Sequence, residues 1–168
     1  MGVGISTQPR SNALCNAGIA PVADMLKNGI KVGLGTDNGE GNFYENMRYL
    51  VLMQMGKNYS KHALTPLQGF QIATEGGAFG LGYTDVGCLK EGYSADFQIL
   101  TGNAAIQLTE KNVAEVFWRK DPKDIKKVYV NGNLICQDGH SVNLDDERIR
   151  KDFSECVREF WKGQPYQD

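Results

Sequence analysis

Asp37 has the sequence surroundings of a residue placed to do chemistry. It follows Ile30, Val32 and Leu34, which alternate with Lys31 and glycines as a strand does, and it sits in the polar loop Thr36-Asp37-Asn38-Gly39. A carboxylate at a strand end can ligate a divalent metal or carry a proton to a leaving group. The same residues also read as an ordinary turn or a helix cap, so both accounts stand at this point. A second polar group, Arg10-Ser11-Asn12, could face a substrate or could equally be turn chemistry after Pro9. Asn42, Tyr44 and Glu45 divide in the same way, between reaching a substrate and opening a helix with an acidic first turn.

The remaining groups with metal or nucleophile chemistry are sparse. There are two histidines, His62 and His140, both in polar, turn-like surroundings, and no His-x-His pair. They read as surface residues. The four cysteines, Cys15, Cys88, Cys136 and Cys156, show no CxxC spacing and lack a histidine set to complete a zinc site. They are expected to be reduced thiols that pack as small buried apolar residues.

The elements that must position these residues can be read from the pattern. Residues 2 to 6 suit a strand, followed by a loop at Pro9-Arg10-Ser11-Asn12. Ile19, Val22, Ala23 and Leu26 share a helical face that begins near Pro21 and ends at Asn28-Gly29. With the strand leading to Asp37, residues 2 to 37 read strand, helix, strand, the unit of a right-handed crossover between parallel strands. In such folds the loops at the carboxyl ends of strands carry the chemistry, which brings Ser6–Asn12 and Asp37–Asn42 to one end. A helix through Tyr44, Met47, Leu50 and Val51 follows. Another is capped by Thr65-Pro66-Leu67-Gln68 and is expected to break at Gly76-Gly77.

From Gly87 the βα alternation stops. Ala95 to Thr101 has strand character, and Asn131-Gly132 between Lys127–Val130 and Leu134–Cys136 is a strong hairpin signal. Ile149, Phe153, Cys156, Val157, Phe160 and Trp161 lie on one face of a final helix that is expected to dock and to end before Gly163. The expected divisions are residues 1–86, 87–142 and 143–168.

With 18 basic and 20 acidic residues, the chain has no charge excess to attract nucleic acid or anionic lipid. No apolar stretch reaches membrane-spanning length and the first residues lack a leader pattern, so a soluble cytoplasmic protein is expected. At 168 residues the chain is short for a closed eightfold β/α barrel, which takes about 250.

Taken in order, several stretches resemble the amidohydrolase superfamily, in its branch of aminated-heterocycle deaminases and chlorohydrolases. Pro9-Arg10-Ser11-Asn12 resembles the stretch after barrel strand seven, with Gln8 where cysteine is common. Val32-Gly33-Leu34-Gly35-Thr36-Asp37 resembles the strand-eight motif, and Gly76-Gly77-Ala78 the helix that closes the barrel. Gly87 to Asp96 resembles the start of the accessory β-sandwich, and Val128 to Gly132 its terminal hairpin.

The resemblance implies an α/β fold: the last strands and helices of a TIM-type barrel, then part of a small accessory β-sandwich and a C-terminal helix. It implies a hydrolase of non-peptide C–N bonds in which Asp37 is both metal ligand and proton shuttle, with Arg10, Ser11 and Asn12 facing a small-molecule substrate. The cofactor implied for the complete enzyme is divalent zinc or iron, held by histidines upstream of Met1, so this chain alone is not expected to bind it. The rival expectation is a catalytically inactive remnant that folds and self-associates through open sheet edges. A small binding module built on Gly33 to Asp37 fits neither the dinucleotide nor the P-loop glycine pattern.

Overall fold

The computed structural model describes residues 3–37, 41–102, 109 and 112–162. The expected loop residues Asn38 and Gly39, and the helix stop at Gly163, lie outside them.

Two short parallel strands form the first sheet. β1 (Gly4–Thr7) pairs with β2 (Lys31–Leu34) in a register that matches Ser6 with Gly33 and Thr7 with Leu34. Between them lie two short helices rather than one. The expected loop at Pro9 is α1 (Pro9–Leu14), because proline at a first helical position has the right fixed φ and gives up only an N–H that has no partner there. α2 (Val22–Lys27) follows, with Asn28 and Gly29 (φ 74°) ending it as expected.

α3 (Phe43–Lys57) is the long element of the core. Asn42 caps it by accepting from the backbone N–H of Glu45 at 3.1 Å. Its buried Met47, Leu50 and Val51 meet Val22 of α2, Val32 and Leu34 of β2, Leu64, Ile72 and Phe117, so segments far apart in the chain share one apolar core. Gln54, also buried, donates to the carbonyl of Ala20 at 2.8 Å and accepts from the N–H of Ala23 at 3.1 Å, fixing the entry to α2.

α4 (Pro66–Gln71) starts with the expected capping box, Thr65 and Gln68 each satisfying the other's backbone N–H. The expected break at Gly76-Gly77 does not occur. The helix runs through a π turn at Ile72–Gly76 into α5 (Gly77–Gly80). These glycines serve close approach instead of termination: a Cβ on Gly76 would lie 2.0 Å from the carbonyl oxygen of Val32, and one on Gly33 would lie 3.0 Å from the Cα of Gly77.

The second sheet is antiparallel, with β3 (Phe97–Leu100), β4 (Ile125–Val130), β5 (Asn133–Gln137) and β6 (His140–Ser141) adjacent in that order. The β4–β5 turn is the expected one, with Asn131 and Gly132 both at positive φ (49° and 76°). Asp96 accepts from the N–H of Asn131 at 2.6 Å and from Ser94 at 3.1 Å, which is a structural task. Among the described residues this sheet is one layer. α6 (Ala114–Arg119), which the pattern does not reveal, carries the fully buried Phe117 into the core. Arg48 of α3 donates to the carbonyls of Phe117 and Lys120, and both of its terminal nitrogens donate to Asp121 Oδ1, at 3.0 and 3.1 Å, tying this segment down.

α7 (Asp146–Trp161) is amphipathic as expected, but among the described residues its apolar face is not covered. All its residues except Asp146 are exposed, Phe153 by 68% and Phe160 by 64%. The cysteines also differ from expectation. All four are free thiols, but Cys15, Cys88 and Cys156 are exposed and Cys136 is half-buried. Among the described residues no helix is long and apolar enough to cross a membrane.

Candidate functional site

Parallel pairing places the carboxyl ends of β1 and β2 side by side, joined by the N–H of Gly35 donating to the carbonyl of Thr7 at 2.9 Å. Whatever follows each strand therefore emerges at one edge. Ser6 and Gly33 share one face of this sheet. Gln8 continues it by donating to the Ser6 hydroxyl at 2.8 Å, in space that exists because residue 35 is glycine; a Cβ there would stand 3.1 Å from both side chains.

Asp37 leaves β2 with φ 56°, the left-handed region that aspartate tolerates better than most residues. Its exposed side chain is held from across the sheet. The hydroxyl of Ser11, buried in α1, donates to Asp37 Oδ2 at 2.7 Å, over a sequence separation of 26. This is the short distance of a hydrogen bond to a charged acceptor. The preceding residue, Arg10, reaches Glu45 in the first turn of α3, with Nε 3.7 Å from Oε2. Asn12 turns the other way, into a narrow crevice with Thr7, Ile19 and Gln54.

The structure thus brings Ser11 and Asp37 together and sets Arg10 beside them. It does not bring Asn12 to Asp37. Glu45, left open between substrate and helix start, is a helix-start residue that also binds Arg10. Neither pairing is legible in the chain, because the partners are far apart in sequence: the crossover between β1 and β2 joins Ser11 to Asp37, and the packing of α1 on α3 joins Arg10 to Glu45.

The donor set for a metal is incomplete. His140 Nδ1 is 3.3 Å from Asp146 beyond the second sheet, and His62 lies exposed in the turn before α4. Among the described residues no group of three or more His, Cys, Asp or Glu side chains could hold a metal ion. A catalytic zinc takes three protein ligands and a water. These residues offer one of them, and so do not fit a metal site on their own.

Two larger cavities lie elsewhere. One of about 560 Å³ is lined by Lys31, Glu75, Cys88, Lys90 and Tyr93 at the opposite end of β2. The other, about 410 Å³, is an apolar cleft between α3, α4 and the second sheet. Neither includes Asp37; the strand ends are the candidate site because loops at the carboxyl ends of strands are where α/β folds carry chemistry.

An α/β unit with polar residues at the carboxyl ends of parallel strands has them where such folds place their sites. Residues 1–135 match the amidohydrolase family, and this chain belongs to that family. It is 35% identical over 159 residues to a 5-methylthioadenosine/S-adenosylhomocysteine deaminase of Shouchella clausii, covering 92% of this chain and 37% of the relative. An enzyme of the same name from Carboxydothermus hydrogenoformans is 35% identical over 153 residues, or 88% of this chain and 35% of the relative. The chain therefore spans little more than a third of these relatives.

Among solved structures, a zinc-bound adenosine deaminase from Xanthomonas campestris superposes with a TM-score of 0.85 over 94% of this chain and 37% of its own, at 18% identity, which speaks for the fold alone. A variant of atrazine chlorohydrolase from Arthrobacter aurescens, complexed with zinc and atraton, does so with a TM-score of 0.78 at 26% identity, over 92% of this chain and 36% of its own.

Proposed function

We propose that this chain is the C-terminal part of a metal-dependent amidohydrolase that removes the exocyclic amino group of an aminated heterocycle, in particular the adenine ring of a nucleoside such as 5′-methylthioadenosine. The observation that carries the reading is the placement of Asp37: a carboxylate at the carboxyl end of a parallel strand, held by Ser11 of the helix that follows the neighbouring strand, in a chain of this family. Asp37 is the proton carrier. As the water oxygen bonds to the ring carbon, Asp37 takes a proton from it and passes that proton to the departing nitrogen. The C–N bond then breaks and ammonia leaves. In this reading the complete enzyme uses a divalent zinc or iron ion in the cytoplasm, with its remaining ligands drawn from outside these residues. Arg10, Ser11 and Asn12, in α1, belong to the substrate side.

The outer edges of β1 and β2 have no strand partner among the described residues. That supports the presence of further barrel strands against them in the complete protein, or self-association of this piece alone. That the described residues offer a single metal-ligand candidate favours a second reading for the isolated chain, a folded module without catalysis.

The test is deamination of 5′-methylthioadenosine, followed by the ultraviolet change from adenine to hypoxanthine, in the 168-residue chain and in a polypeptide extended upstream. Turnover by the extended form, abolished by Asp37→Ala, is the expected result. An extended form that keeps full activity with Asp37→Ala would remove Asp37 from the chemistry. Inactivity of the extended form on every aminated heterocycle would favour the second reading.

A further inference from the structure

We infer that Ser11 is a positioning residue: its buried hydroxyl, bonded to Oδ2, locks the carboxylate of Asp37 in one orientation, and does not itself contact substrate. The inference rests on the functional reading only for its purpose, since the geometry stands without it.

Three observations combine. Ser11 is 3% exposed and has one hydroxyl proton, which is given to Asp37 Oδ2 at 2.7 Å. Asp37 is exposed and stands at φ 56°, so packing alone does not restrain its side chain. An exposed aspartate with no such bond hops among rotamers in picoseconds to nanoseconds. The donor, by contrast, comes from a rigid place. Ser11 sits in the first turns of α1, which opens on buried Pro9, is flanked by the Arg10–Glu45 ion pair and packs on α3. A carboxylate that must take a proton from one atom and give it to another works best held in one geometry, and Oδ2 is the oxygen used to hold it. The arrangement also explains the pairing of a serine in the helix after one strand with an aspartate beyond the end of the next.

The experiment reads the orientation directly, on the 168-residue chain, without metal or substrate. Three-bond NMR couplings across χ1 of Asp37 are measured in the wild type, Ser11→Ala and Ser11→Thr, with the amide spectrum confirming the fold of each. The expected result is one large and one small set of couplings in the wild type, averaged values in Ser11→Ala, and unaveraged values again in Ser11→Thr, which keeps the hydroxyl. Averaged couplings in the wild type, or unaveraged ones in Ser11→Ala, would overturn the inference. Ser11→Ala suffices if the extra methyl of threonine is not accommodated. Failure of the deamination assay would sink the functional reading while leaving these couplings, and the role of Ser11, intact.

Discussion

Gly76→Ala and Gly77→Ala, changes at adjacent positions of one helix, are expected to move stability in opposite directions. Away from tertiary contacts, alanine in place of a helical glycine stabilises by about 1 kcal/mol, because glycine loses more backbone freedom on folding. Gly77 has nothing within 4 Å of its Cβ position and a helical φ of −64°, so Gly77→Ala should show most of that gain. At Gly76 the new Cβ would lie 2.0 Å from the Val32 carbonyl oxygen and 3.0 Å from its carbon, both backbone atoms of a strand in the core. Relief requires the helix to withdraw by about 1 Å from β2, opening the packing around Val32 and Ile72. Overpacking of this kind costs roughly 3 kcal/mol where no flexible side chain can yield. Net of the helix gain, Gly76→Ala should cost about 2 kcal/mol. For a chain of this size that is a fall of roughly 4–8 °C in Tm, against a rise of about 2–4 °C for Gly77→Ala. Urea and thermal unfolding of the two variants provide the comparison. A Gly76→Ala protein as stable as the wild type would refute the account of the close contact, and equal shifts at both positions would show that helix propensity alone governs this segment.

Other expectations follow from individual contacts. Arg48→Ala removes the guanidinium that holds Asp121 and leaves the carbonyls of Phe117 and Lys120 without this donor; roughly 2–3 kcal/mol should be lost in urea unfolding, and Arg48→Lys should not restore it, since lysine lacks the planar fork. Burial first, and the charge of Asp124 second, raise the pKa of Tyr44 above its ordinary 10, while its hydroxyl is 3.0 Å from Gln98 Oε1. The folded state therefore holds the phenol proton more tightly than the unfolded state. That contribution is complete below pH 10 and is lost as pH rises through the folded pKa, so Tyr44→Phe should flatten the alkaline limb of the stability profile. Phe153 is 68% exposed, so Phe153→Gln should change the stability of the isolated chain by less than about 0.5 kcal/mol while improving its solubility. A larger loss would mean that α7 packs against something.

Elements whose signals are local could be read directly from the chain. The capping box at Thr65, the Asn131-Gly132 hairpin, the strand leading to Asp37 and the amphipathic pattern of α7 each lie within a few residues, where side-chain and backbone chemistry act directly. Its ordered motifs also carried the family, which the match over residues 1–135 establishes. Other features were decided only by contacts between distant segments. Pro9 reads equally as a loop breaker or a helix start, and α1 is fixed by packing on α3 and by the Ser11–Asp37 bond. Gly76-Gly77 reads as a helix stop until Val32 is seen to need the space of a side chain. The cysteines carry no periodic signal, and their exposure was set by where the elements came to rest. The candidate site belongs to this second kind. Asp37 was legible as a strand-end carboxylate, but its hold by Ser11 arises because a crossover sets two parallel strands side by side, and no spacing within the chain records which residues that brings together.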